Sequence, residues 1–163
     1  MSGAKEILNE ELDVCKTSLT YMTWTYNKQI ISELPDDVIG FVYLITNLTT
    51  GRKYIGKKLA KFSKTRYKMM TQKNGKRVRK KIKSKVDSDW KDYYGSSEAL
   101  QKDIDVLGTY SFSREILRMC YSKAECSYYE AKEQFYNGVL ESNDWYNAQI
   151  SVRCHKSHIL DKF

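Results

Sequence analysis

A chain of 163 residues with 13 Tyr, 5 Phe and 3 Trp is long enough for one domain with its own core, and too rich in aromatics for a disordered chain. No apolar run approaches the roughly 20 residues of a membrane span. The N-terminal MSGAKEILNEELDVC lacks the basic-then-apolar order of a secretory signal, so the cytoplasm is the expected compartment.

Charge is the informative quantity. Residues 1–37 sum to −4, residues 38–86 carry sixteen Lys/Arg and no acid, and residues 87–163 sum to −4. A solvated surface normally mixes signs, so a stretch without one carboxylate implies a polyanionic partner. Clustered cations attract phosphates and release their counterions, which makes nucleic acid the expected partner. The cluster has no amphipathic apolar face, so no membrane partner is expected. Cys15, Cys120, Cys126 and Cys154 form no CxxC and read as buried or free thiols. Cys154, His155 and His158 lie close together but lack the paired spacing of a metal site, so no zinc is expected.

In chain order, Pro35 separates an N-terminal extension (1–38) from the body (39–163), whose basic insertion falls at about 57–86. Within the extension, TWTYNKQIISEL can turn at Asn27-Lys28 as a hairpin. GFVYLITN reads as a buried strand, NLTTGR as a turn and KYIG as a partner strand, which sets Tyr43 beside Tyr54. KKLAKFSKTRYKMM reads as a basic helix, and TQKNGKRVRKKIKSK as an exposed loop or ribbon turning at Asn74-Gly75.

SSEALQKDIDVLG is a helix with a serine start, an apolar face of Leu100, Ile104 and Leu107, and Gly108 as its stop. SFSREILRMC is a strand. Ser122 and Glu125 then form a capping box for a helix through YYEAKEQFYNGVL, and DWYNAQISVRC closes the domain as a loop and strand. Together these describe an α/β (α+β) sandwich with mostly antiparallel pairing.

These residues carry a resemblance. Phe41-Val42-Tyr43 stands where the GIY-YIG nuclease superfamily has Gly-Ile-Tyr, and Tyr54-Ile55-Gly56 matches the second half. WKDYYGSSEALQKDIDVLGTYSFSREIL, EQFYNGV and Tyr146-Asn147 resemble later family segments, in order, over residues 40–150. The pattern is most similar to the Seg-type endonucleases of T4-like phages. It departs in placing Phe41 at the usual glycine, with Gly40 one place earlier.

The resemblance implies a small GIY-YIG-like sandwich: a central, mostly antiparallel three-stranded sheet flanked by helices. It implies a DNA endonuclease acting on duplex or branched substrates with Mg²⁺ or Mn²⁺. Oligomeric state stays open, a homodimer on DNA included. The alternative is an inactive DNA- or RNA-binding protein on the same fold.

For the catalytic groups the resemblance implies Tyr43 as base with Tyr54 as its partner, a phosphate-neutralising Arg66 or Lys64, and Glu133 or Glu130 as the single metal ligand. Arg66 is preferred for its guanidinium fork, and Glu133 for its Glu-x-aromatic-aromatic setting beside Tyr129 and Tyr136. A tyrosine can serve as base only if its pKa falls well below about 10, and Lys53, Lys57 and Lys58 are the cations expected to lower it. Gly56 would allow close approach of a phosphate. Lys57, Lys58, Lys64, Arg77, Arg79, Lys80 and Lys81 are expected phosphate contacts that position DNA without reading it. Asn147 is expected to bind substrate or order the site.

Overall fold

GFVYLITN is apolar at nearly every position, as a strand covered on both faces must be, and it becomes the second strand from one edge of the main sheet. The computed structural model describes residues 23–160, apart from the side chain of His158; Cys15 and the acidic N-terminus lie outside them. The described strands are β1 (Trp24–Tyr26), β2 (Gln29–Ile31), β3 (Gly40–Asn47), β4 (Lys53–Leu59), β5 (Lys61–Thr71), β6 (Arg77–Asp87) and β7 (Phe112–Cys120). The helices are α1 (Glu98–Leu107) and α2 (Lys123–Tyr136).

β3 pairs antiparallel with β4 and β7, giving the expected three-stranded antiparallel centre. The hairpin at Asn27-Lys28 forms, with φ of 50° and 65° at those residues, the two positive values a primed turn requires. Its strand β1 adds parallel to β7, so among the described residues the sheet has five strands in the order β2-β1-β7-β3-β4.

Alternation along β3 divides the core in two. Phe41, Tyr43 and Ile45 face Trp24, Trp90 and Phe112 together with Leu100 and Ile104 of α1. Val42 faces the opposite way, toward Ile55, Cys120 and the α2 residues Cys126 and Tyr129. One helix therefore covers each face. Phe41, at the family's glycine position, is fully buried edge-on to Trp24 and Trp90 at 5.1 and 5.9 Å.

Both helix starts follow the sequence. Ser97 Oγ accepts from Leu100 N–H, and Ser122 Oγ from Glu125 N–H. Glu125 returns the bond one residue further back than a standard box, accepting from Tyr121 N–H at 2.8 Å.

Two expectations fail. KKLAKFSKTRYKMM is not a helix; it finishes β4 and runs out as β5, which pairs with β6 over eleven residues in a separate two-stranded ribbon. Thr65, Tyr67 and Thr71 favour strand. Across the pair Val78, Ile82 and Val86 of β6 stand opposite Met70, Arg66 and Phe62, in the segment expected to be a loop or ribbon. Ser88 closes the ribbon's base, donating from its N–H to Ala60 O at 2.8 Å and from Oγ to Leu59 O at 2.6 Å.

DWYNAQISVRC forms no strand beyond a single parallel bridge between Lys53 and Trp145. The Asn147 side chain fills the next pairing position on β4, where a strand's own backbone would otherwise go.

Trp24 ties β1 to this core through an Nε1–H bond to Trp90 O at 2.7 Å and an edge contact with Tyr43 at 5.4 Å. Trp24→Ala should destabilise the domain by about 3–5 kcal/mol in urea denaturation. A loss below about 1 kcal/mol would mean the hairpin is not part of the cooperative core.

Candidate active site

Tyr43 and Tyr54 lie on the same face of adjacent strands, because Tyr43 opposes Gly56 and Ile45 opposes Tyr54. A register shift against β7 falls between Val42 and Tyr43, a bulge of the kind that re-aims a side chain. The Tyr43 ring lies over Gly56, with ring centroids 6.1 Å from Tyr54 and 6.0 Å from Tyr93. A Cβ on Gly56 would sit 2.5 Å from Tyr43 Oη and 2.9 Å from Tyr54 Cε1. Gly56 therefore makes room for two tyrosine rings, a reason internal to the fold and distinct from the phosphate approach expected of it.

The two tyrosines are not equivalent. Tyr43 is 1% exposed. Tyr54 reaches an open cleft of about 860 Å³, where its hydroxyl lies 3.2 Å from Ser96 Oγ. That cleft lies along the outer edge of β4. The first turn of α1 forms one wall, Glu130 and Gln134 of α2 another, and Asn147 the floor.

Edge-strand backbone must find partners, and here side chains supply them. Asn147 accepts from Ile55 N–H at 3.0 Å and donates to Ile55 O at 2.8 Å, and Gln134 donates to the same oxygen at 3.0 Å. Lys53 N–H donates to Asp144 O, and Tyr146 N–H donates to Lys53 O, each at 2.8 Å. Asn147 is thus a structural clamp that also lines the cleft.

Lys57 and Glu130 meet in this cleft at 2.6 Å, with side-chain exposures of 35% and 15%. Their attraction at this exposure is worth on the order of 1 kcal/mol, weak enough to be exchanged for other partners. Lys58 points the other way, pairing with Asp89 at 2.8 Å and lying 3.6 Å over the Tyr93 ring.

The expected depression of tyrosine pKa by lysines is not met. Burial pushes Tyr43 well above the usual phenol value, and the neighbouring Tyr54, Tyr93 and Glu130 push the same way. Tyr54 is also raised, first by burial, with the bond to Ser96 working against it. Of the three cations expected to act, Lys57 is engaged by Glu130 and Lys58 by Asp89.

The other expected residues separate into two places. Glu133, preferred above, does not line the cleft, whereas Glu130, three residues earlier on α2, does. Lys64 and Arg66 are exposed on β5, out on the ribbon and away from the cleft, as are Arg77, Arg79, Lys80 and Lys81 on β6. Among the described residues no arginine lines the cleft; its cations are Lys57 and Lys102. Adjacent like charges along one face of β6, about 6.7 Å apart by strand rise, repel by about 0.6 kcal/mol even at water's dielectric constant.

Sequence reasoning missed Ser96, Tyr93 and Gln134. The GSS preceding α1 was read only as a helix start, although it brings Ser96 to Tyr54. Arg114, buried on β7, donates to Lys91 O at 2.8 Å and Tyr93 O at 3.2 Å, which fixes the loop that lays Tyr93 against Tyr43. Nothing local in the sequence signals that long-range tie.

Gly56→Ala should cost about 1–3 kcal/mol in thermal unfolding, because the methyl group overpacks against backbone-fixed rings. It should also alter the near-ultraviolet circular dichroism of the tyrosines. A neutral, spectrally silent variant would show that the two rings can move aside.

The family model described as "Putative endonuclease segE, GIY-YIG domain" matches residues 24–150. No curated protein and no solved structure matches the chain. The matched span opens at β1 and closes just beyond Asn147, so it encloses the sheet, both helices, the ribbon and most of the cleft. The chain therefore belongs to the segE-type GIY-YIG family, a family of endonucleases whose substrate is nucleic acid.

Proposed function

We propose that the protein is a DNA endonuclease that hydrolyses a phosphodiester bond in the cleft beside β4, using Tyr54, Lys57 and Glu130. The observation that carries this reading is their convergence on one open cleft, with ammonium and carboxylate 2.6 Å apart. Such a pair is the complement of what hydrolysis brings: an anionic phosphate for the lysine and a cation for the carboxylate.

The cofactor proposed is Mg²⁺ or Mn²⁺. The donor set fits: Glu130 offers hard carboxylate oxygens at an open site, and Mg²⁺ typically takes one or two protein carboxylates, with water and phosphate completing its shell. When bound, the ion would neutralise charge on the phosphoryl group and the leaving oxygen.

The chain's own groups do the rest. Lys57 exchanges Glu130 for a non-bridging phosphate oxygen and stabilises the charge that builds there. The Tyr54 hydroxyl, aligned by Ser96, hydrogen-bonds the attacking water and orients it. Tyr43, closed beneath it and protonated at neutral pH, positions the Tyr54 ring. Asn147 fixes the β4 edge, and the α1 N-terminus presents its dipole to the same cleft. A second reading, a nucleic-acid-binding protein without turnover, is favoured by one observation: among the described residues the cleft has no arginine.

Incubation with supercoiled plasmid and Mg²⁺ tests the assignment. Glu130→Gln should lower nicking by about 100-fold or more while sparing DNA binding, and Tyr54→Phe by a similar factor. Glu133→Gln should stay within about threefold of wild type, a difference below 1 kcal/mol. Intact plasmid with wild-type protein that still shifts on a gel would favour the binding reading. Because burial raises Tyr43, its proton should stay on as pH rises to about 10, so the rate profile should lack an inflection due to Tyr43 near neutrality. A neutral inflection that vanishes in Tyr43→Phe would contradict this.

A further inference from the structure

The β5–β6 ribbon is a two-stranded sheet of eleven cross-strand pairs, with no third strand among the described residues. A two-stranded ribbon without a packed face is marginal in water, so one this long and this charged requires another explanation. Its register supplies one, because the two faces differ in kind. Residues of odd number share one face, where β6 places Arg77, Arg79, Lys81, Lys83 and Lys85 in an unbroken column. Opposite that column stand Ser63, Thr65, Tyr67, Met69 and Thr71, short or neutral, with Arg79 stacked 4.0 Å over the Tyr67 ring. The only carboxylate on this face is Asp87, at the base.

The even-numbered face is mixed. Phe62, Met70, Val78, Ile82 and Val86 share it with Lys64, Arg66, Lys68 and Lys80. The basic insertion is therefore a sided device. Five cations at intervals of about 6.7 Å form a track of about 27 Å, the length of about eight base pairs of duplex at 3.4 Å each.

We propose that the odd-numbered face of the ribbon lies along the phosphate backbone of duplex DNA and holds it without reading sequence, while the even-numbered face stays off the DNA. This deepens the nuclease reading above and rests on it. Charge complementarity identifies the partner: a column of like cations with no interleaved carboxylate matches a regular row of phosphates and nothing of mixed sign. β5 begins at Lys61, four residues after Lys57 in the cleft, so chain held on the track remains tied to the cutting site through β4.

The test is the salt dependence of binding to a labelled linear duplex, measured in chelator so that cleavage plays no part. Replacing Arg77, Arg79, Lys81, Lys83 and Lys85 by Gln should reduce the slope of log K against log salt by about 4.5, at about 0.9 per phosphate contact. Replacing Lys64, Arg66, Lys68 and Lys80 by Gln should reduce it by no more than about 1. Should the fivefold variant not fold, the double variant Arg79→Gln, Lys83→Gln should still remove about 1.8.

Equal losses from the two faces, with wild type binding normally, overturn the face assignment and leave the nuclease reading standing. Wild-type protein that binds no duplex, or that prefers RNA in competition, overturns both. A dimer in sedimentation that Phe62→Ser dissociates, with no slope change in the odd-face variant, would make the ribbon an interface between copies instead.

Discussion

The outer edge of β4 is the constraint on which the site depends. An edge strand beside the centre of a sheet leaves N–H and C=O groups that must be satisfied. No further strand covers this edge among the described residues. Asn147 and Gln134 supply side-chain amides to Ile55, and the backbone of residues 144–146 supplies Lys53. Those bonds draw α2 and the segment after it to the edge. Glu130, one turn before Gln134 on α2, thereby comes within 2.6 Å of Lys57. The cleft is what remains where the strand edge is covered by side chains and not by another strand.

Within that frame the two tyrosines divide their work by depth. Tyr43 is packed against Gly56, Trp24 and Tyr93, and its burial raises its pKa; Tyr54, one strand nearer the edge, keeps its hydroxyl at the cleft. The basic segment divides in the same way. Lys57 enters the cleft, Lys58 and Lys61 are paired with Asp89 and Asp36 near the ribbon's base, and most of the remaining cations line the ribbon. The cationic stretch thus places one charge in the cleft and most of the others on the ribbon.

Much of this was legible in the sequence where local chemistry decides structure. The β3–β4 hairpin, the Asn27-Lys28 turn, both serine caps and the Asn74-Gly75 ribbon turn follow from residues within a few positions of one another. The errors lie where contacts are distant. KKLAKFSKTRYKMM becomes a strand only because β6 pairs with it along its length. Asn147 could be read as the start of a strand until its side chain is seen on Ile55. The choice between Glu130 and Glu133, less than one helical turn apart, is of another kind: both remain candidates, and only Glu130 lines the cleft against Lys57. The tyrosine environment reversed the expectation because burial outweighs cations that are already paired.

The central claim is that the divalent ion and the scissile phosphate meet at Glu130, beside Lys57 and Tyr54. Paramagnetic broadening of backbone amide signals by Mn²⁺, with duplex DNA bound to the slowed Tyr54→Phe protein, tests it most directly. Broadening centred on residues 54–57, 96–98 and 130, and lost on further change of Glu130→Gln, is the result predicted. Broadening centred on the ribbon, or unchanged without the Glu130 carboxylate, would contradict it.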